Sequence, residues 1–194
     1  MSNTDQPEAP TGTVSIVEAV RQASRKGPPP VHLWNPPLSG DIDMRIARDG
    51  TWFYEGTVIK RPALVRLFAS ILKREGDDYF LVTPVEKWAL EVEDAPFVAV
   101  DFEIEDGEAG PVLVFETNVG DIVRAGKGNA IHVAVDPSTG EPSPYIHVRG
   151  DLHALIDRKS FYRLADLAEA GETEEGPRMV VRSGRETFVV GPMA

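Results

Sequence analysis

Two aromatic residues and an arginine in one short stretch, Trp52, Tyr54 and Arg61, make the first pattern in this chain that could do chemistry. An aromatic face gives a planar ring something to stack on, and a guanidinium offers a paired fork to a phosphate or carboxylate. Further along stand Thr83 and Glu86 on either side of Pro84, then Asn118 at the end of an apolar run, then Tyr145 and Arg149. Together these side chains would suit a planar, anionic, nucleotide-like small molecule. The rings would stack, Arg61 and Arg149 would meet charge, and Thr83, Glu86 and Asn118 would orient the ligand. The plainer reading pairs Arg61 and Arg149 with carboxylates, which this chain has in abundance.

Other chemistries find less to work with. There is no cysteine, which excludes disulfides, thiolate zinc sites and cysteine nucleophiles. Of the four histidines, His32, His132, His147 and His153, the last two read as sharing one bent strand with no carboxylate at metal-ligand spacing, so no metal site is expected. Asp41 and Asp43 offer hard oxygen ligands, yet they alternate with Ile42 and Met44 and read as a solvated strand face. Gly126-Lys127-Gly128-Asn129 has the composition of a phosphate loop but leads into a strand, and a phosphate cradle depends on a helix N-terminus. Walker, G-x-S-x-G and H-E-x-x-H signatures are absent, and no cofactor is expected. An enzymatic reading rests on Glu86, Glu93 or Asp94 as a general base.

Charge narrows the partners. The 194 residues carry a net charge of −11. Between Trp88 and Val123 lie ten acidic residues and no Lys, Arg or His. Such a surface repels phosphate backbones and anionic lipid heads, so neither extended nucleic acid nor a membrane is an expected partner. No apolar run approaches the ~20 residues that span a bilayer, and the N-terminus lacks the basic and apolar regions of a signal peptide. The expectation is a soluble, cytoplasmic protein.

The elements that must position these residues follow from periodicity. Residues 1–12 read as a disordered leader. Ser15 and Glu18 form a capping box for a helix with Ile16, Ala19, Val20 and Ala23 on one face, and the proline-rich stretch from Gly27 to Pro37 is a rigid connector anchored by His32 and Trp34. Ile42, Met44 and Ile46 alternate as a strand, and Asp49-Gly50 predicts a hairpin into Trp52–Tyr54. Pro62 opens a helix whose apolar stripe runs through Leu64, Leu67, Phe68, Ile71 and Leu72 to a stop at Gly76. Strands are then predicted at 79–83, 85–93, 98–105, 112–117 and 131–135, followed by one bent strand over 145–156 that kinks at Gly150. Asp157 caps a second helix that Gly171 closes, and a final hairpin turns at Ser183-Gly184.

One pattern occurs twice. With an offset of 97 positions, Ile59 matches Ile156, Arg61 matches Arg158, Arg66 matches Arg163 and Leu67 matches Leu164, each within a strand–helix–strand order. The predicted fold is α+β, mostly antiparallel sheet, in two related halves from this duplication: an N-terminal α+β domain over 13–96 and a C-terminal domain over 97–194.

The segments Trp52-Phe53-Tyr54-Glu55-Gly56 with Ile59 and Arg61, Leu64-Val65-Arg66-Leu67-Phe68-Ala69, Leu81-Val82-Thr83-Pro84-Val85-Glu86-Lys87, Val92-Glu93-Asp94-Ala95-Pro96-Phe97, Thr117-Asn118-Val119-Gly120-Asp121 and Pro144-Tyr145-Ile146 with Val148-Arg149 carry a family resemblance. From about Pro36 onward the chain resembles the proteobacterial family of domain of unknown function 1285. The resemblance implies a two-part fold with repeated motifs, whose C-terminal half is superficially similar to a pleckstrin-homology domain. It also implies a groove between the halves suited to a nucleotide-like molecule in a signalling role. It brings no established activity, so no catalytic residue is carried over. The leading expectation is therefore a regulatory or signalling module that binds such a ligand. The alternative is a protein–protein interaction module with a protein partner and no small ligand.

Overall fold

The computed structural model describes residues 16–18, 28–174 and 176–192. The expected leader over 1–12, the cap Ser15 and the helix positions Ala19, Val20 and Ala23 lie outside the described residues. Residues 16–18 are helical, and Ile16 is buried in the core.

The chain is built from three-stranded antiparallel meanders. The first is β1 (Leu38–Ile46), β2 (Trp52–Tyr54) and β3 (Thr57–Val58). Helix α1 (Pro62–Ser70) leads into the second, β4 (Leu72–Glu75), β5 (Asp78–Val82) and β6 (Lys87–Val92). The two merge into one six-stranded sheet in the order β3-β2-β1-β6-β5-β4, with the central pair β1 and β6 parallel. The same construction follows at once. A third meander, β7 (Phe97–Gly107), β8 (Gly110–Thr117) and β9 (Ile122–Arg124), merges with a fourth, β10 (Ile131–Val135), β11 (Pro142–Arg149) and β12 (Leu152–Ile156). The order is β10-β11-β12-β7-β8-β9, again with a parallel central pair, β12 and β7. Helix α2 (Arg158–Asp166) then leads into a fifth meander, β13 (Glu169–Thr173), β14 (Gly176–Ser183) and β15 (Glu186–Pro192), which forms a sheet of its own.

The protein is thus mostly β with few helices, and its two six-stranded sheets share one topology, as related halves would. The 97-residue register relates something more local. It brings α1 and β4–β6 onto α2 and β13–β15, a helix followed by a meander each time. It does not superpose the two large sheets, because it sets the edge strand β3 against the central strand β12.

Three boundaries differ from the sequence reading, the first two because sheet pairing overrides helical periodicity and the third because a strand glycine turns the chain back instead of bending it. The stripe over Ile71 and Leu72 leaves the helix. Ile71 ends α1, Leu72 pairs with Leu81, and Gly76 turns the β4–β5 hairpin with φ +64° rather than capping a helix. In the second copy α2 ends at Asp166, and Gly171 lies inside β13, where a Cβ would sit 2.6 Å from the Val180 side chain. The bent strand over 145–156 is a hairpin, with Gly150 at φ +52° between β11 and β12, so that His147 faces His153 across the ladder.

One hydrophobic core joins both halves. It runs from Met44, Ile46, Trp52, Phe68 and Leu81 through Phe97 and Ala99 to Phe115, Ile146, Ile156 and Leu164. The fifth meander closes the second sheet through the buried Ser183 hydroxyl, which donates to the Ala125 carbonyl at 2.7 Å and accepts from the Leu113 amide at 2.9 Å. Between the halves, the Asn118 side chain accepts from the Val98 amide at 3.0 Å and donates to the Gly50 carbonyl at 3.2 Å. Gly50, at φ +83°, suits the β1–β2 turn, and a Cβ there would lie 2.5 Å from the Asn118 amide nitrogen. Only glycine allows that approach.

Candidate functional site

A cleft of about 730 Å³ opens between the halves, within the range that holds small molecules. The first half contributes Pro28, Pro29, Val31 and His32 from the connector, Arg66, Ala69 and Ser70 from α1, and Leu72, Lys73 and Arg74 from β4. The second half contributes Val119 and Asp121 from the β8–β9 turn, and Arg149, Gly150, Asp151 and Leu152 from the β11–β12 hairpin. Among the described residues its lining carries four cationic side chains, Arg66, Lys73, Arg74 and Arg149, against two carboxylates, Asp121 and Asp151. That balance is opposite to the −11 of the whole chain.

Most of these cations have structural partners. Lys73 donates to the Trp34 carbonyl at 3.1 Å and to the Asn35 side chain at 3.2 Å, and pairs with Glu75 at 2.9 Å. It therefore pins the proline-rich connector onto β4. Arg74 donates to the Gly76 carbonyl at 2.8 Å, pairs with Asp77 and lies over the Tyr79 ring. Arg149 spans the junction: it pairs with Asp121, donates to the Ala69 carbonyl at the end of α1 at 2.8 Å, and stacks over Phe97 at 5.0 Å. Arg66 is different. It is exposed on α1, beside Gly120 across the cleft, and makes no hydrogen bond or ion pair among the described residues. An unpaired guanidinium at the edge of the cleft is the group there best placed to meet an anion.

Of the residues singled out by sequence, Arg149 lines this cleft, and Asn118 and Tyr145 stand at the junction beside it. Tyr145 donates to Asp94 at 2.7 Å, and its ring stacks on His132. Desolvation, with the Asp94 carboxylate beside it, pushes its phenol above the ordinary value. The others sit elsewhere. Trp52 is 1% exposed and stacks on Phe68 at 6.4 Å, so it is a core residue with no face for a ligand. Tyr54 borders a small separate cavity of about 250 Å³ with Ile16, Trp88, Asp41 and Asp43. Arg61 is exposed at the N-cap of α1. Thr83 is buried, and its hydroxyl accepts from the Glu86 amide at 3.0 Å, which shapes the β5–β6 turn around Pro84. Glu86 is partly buried in that turn and points one carboxylate oxygen at no partner. Glu93 is engaged by Arg45 and the Arg48 amide, and Asp94 by Tyr145 and Arg48. Among the described residues no group of three or more histidines or carboxylates could hold a metal ion. No described helix is long and apolar enough to cross a membrane.

The sequence reading therefore missed Arg66, Lys73 and Arg74 as a group. Their signal was present: Arg66 interrupts the apolar stripe of α1 between Val65 and Leu67, on the side that the core does not take. What periodicity could not supply was the second wall.

Comparison with known proteins places the chain in a family. Residues 29–95 match the family described as domain of unknown function (DUF1285), N-terminal domain, and residues 96–190 match the DUF1285 C-terminal domain. Among solved structures, the chain is similar to a DUF1285 family protein from Silicibacter pomeroyi DSS-3, at 58% identity and a TM-score of 0.81, over 92% of this chain and 95% of that one. It is also similar to a DUF1285 family protein from Shewanella baltica OS155, at 30% identity and a TM-score of 0.51, over 64% of this chain and 91% of that one. No curated protein matches.

Proposed function

The chain belongs to the DUF1285 family, and we propose that it is a regulatory protein that binds a small, phosphate-bearing ligand in the cleft between its halves. The observation that carries this reading is Arg66, a guanidinium without a partner among the described residues, facing a cleft whose other cations are already held in place. A guanidinium matches the oxygens of a phosphate or carboxylate in a paired fork. Lys73, Arg74 and Arg149 are each paired with a carboxylate, so Arg66 brings the uncompensated positive charge. Val31, Leu72, Val119 and Leu152 supply apolar wall for the body of the ligand. The volume suits a molecule of nucleotide size. Apart from the His32 imidazole the lining has no aromatic ring, so a base would be held by aliphatic contact and backbone groups rather than by Trp52 or Tyr54.

The test is a thermal-shift and calorimetric screen of the full chain with nucleotides, dinucleotides, sugar phosphates and inorganic phosphate. A ligand at 100 times its dissociation constant stabilises by about 2.7 kcal/mol, a rise of roughly 5–10 °C for a protein of this size. Arg66→Ala should weaken binding at least tenfold while leaving unliganded stability within about 0.5 kcal/mol, as surface substitutions do. A flat panel, or unchanged affinity in Arg66→Ala, would overturn the proposal.

A further inference from the structure

Three histidines that the sequence scatters over 21 positions meet on one face of the second sheet. His132 on β10 lies edge-to-face with His153 on β12, ring centres 5.3 Å apart, and His153 lies edge-to-face with His147 on β11 at the same distance. Tyr145 continues the row by stacking on His132 at 5.2 Å. The opposite face of these strands carries Ile131, Ile146, Ala154 and Ile156 into the core, so the histidines point away from it.

Along β11 this face borders the first half. On β11 the residues sharing their face reach across one after another: Ser143 accepts from Arg48, Tyr145 donates to Asp94, and Arg149 donates to the Ala69 carbonyl. His147 sits between the last two. Its Nε2 is bonded to the carbonyl of Gly150, a residue of the cleft wall, and its Nδ1 is buried without a partner. The charged and titratable groups around the row are Arg74 on β4, Arg48 on the β1–β2 turn, Asp94 between β6 and β7, Asp151 on the β11–β12 turn, and the Tyr145 phenol. Asp94 is already shared by Tyr145 and Arg48, and Asp151 interacts with His153 through its backbone. Arg74 is the cation nearest in effect to His153, and it lines the cleft. A proton added to His153 meets the two neighbouring imidazoles and Arg74, and the Asp151 side chain lies exposed on the turn.

We propose that the imidazole row is a proton-operated latch on the cleft: neutral, it leaves the β11–β12 hairpin seated on the first half through Tyr145 and Arg149, and protonated, it loosens that hairpin and releases whatever the cleft holds. The release of a ligand rests on the reading of the cleft given above, whereas the latch itself does not. The direction of the effect follows from linkage. Burial holds the His132 and His153 imidazoles below their ordinary value, and for His153 the other two histidines and Arg74 lower it further. His132 keeps an edge in solvent, so His153 dominates. Groups depressed in the closed state cost nothing above the ordinary histidine value of about 6.5, and they oppose closure progressively as pH falls below it.

The experiment uses the full chain without ligand. Melting temperatures of the natural protein and of His153→Gln are compared from pH 7.5 to 5.0, with imidazole titration followed by NMR on the natural protein. The two proteins should melt within about 2 °C of each other at pH 7.5, a difference of no more than about 1 kcal/mol. By pH 5.5 the natural protein should have lost more of its melting temperature than the variant has, because only it carries the depressed His153 imidazole. Parallel curves, or a His153 imidazole that titrates at or above 6.5, would overturn the latch. Should His153→Gln fail to fold, His132→Gln on the solvent edge and the NMR titration decide the question alone. In a second arm, binding of the phosphate-bearing hit should weaken several-fold more between pH 7.5 and 5.5 in the natural protein than in His153→Gln, the variant carrying the ligand's own loss of charge at about pH 6. Absence of any hit at pH 7.5 defeats the cleft reading. A hit whose affinity falls alike in both proteins, together with parallel melting curves, defeats the latch and leaves the cleft reading standing.

Discussion

Arg66 and Arg163 fall at matching positions of two helices that each lead into a three-stranded meander, and they do opposite things. Arg163 on α2 is spent within its own half: it pairs with Asp101, donates to the Phe102 carbonyl at 2.7 Å, and lies over the Phe102 ring at 4.3 Å. Its guanidinium, with the Phe102 amide, holds the Asp101 carboxyl below the ordinary carboxylate value. Arg66 on α1 meets no such partner and faces the cleft. The difference is one of location. Helix α2 packs on β7 of the sheet that precedes it, whereas α1 ends at the junction, where its last turn gives Ala69 to Arg149 of the other half. One copy of the repeat has been used to finish a core, and the other to build a wall. An arginine retained at both positions therefore says little about function until its surroundings are known.

The sharpest way to break this comparison is to empty the core beneath the wall. Phe68 is fully buried on α1 against Trp52, and Phe68→Ala should cost about 3–5 kcal/mol in urea unfolding and abolish ligand-induced stabilisation with it. If the cleft survived that loss, α1 would not be what shapes it.

A smaller effect is expected where the halves are tied together. Asn118→Ala removes both the bond to the Val98 amide and the bond to the Gly50 carbonyl, and should cost about 1–2 kcal/mol by denaturant titration. Increased proteolysis confined to the junction would accompany it. A stability change within error would mean that the shared core, and not this clamp, fixes the halves.

The smallest effect separates the two helix starts. Asp157 caps α2 by accepting from the Ser160 amide at 2.8 Å, whereas α1 begins at Arg61 with no side-chain cap and relies on Pro62 in its first turn. Asp157→Ala should cost about 1 kcal/mol and Arg61→Ala no more than about 0.5 kcal/mol, read as shifts in thermal midpoint. An Arg61→Ala variant that lost ligand binding would return that residue to the site from which its position at the N-cap removes it.

Much of this was legible in the residues and some was not, for reasons that can be named. The Asp49-Gly50 and Ser183-Gly184 turns and the caps at Pro62 and Asp157 stand where turn and cap chemistry puts them, because those preferences act over three or four residues. Helix ends were misplaced at Ile71 and Gly171, where apolar residues compatible with a helix pair in a ladder instead. Trp52 was read as a stacking surface because an aromatic beside polar residues has the same spelling whether it faces a ligand or a core. His147 and His153 were assigned to one strand, and only the hairpin at Gly150 sets their rings face to edge.

The sequence by itself determined the composition of the surface, the absence of thiol chemistry, the repeated helix and meander, and most of the places where the chain turns. Each of these depends on interactions between near neighbours, or on counting. The tertiary structure alone decided that Arg66 has no partner among the described residues while Arg163 is bound, that four cations of an acidic chain line one cleft, and that three separated histidines form a row. Those outcomes depend on which wall stands opposite each side chain, and the opposite wall is supplied by residues dozens of positions away through the pairing of whole sheets.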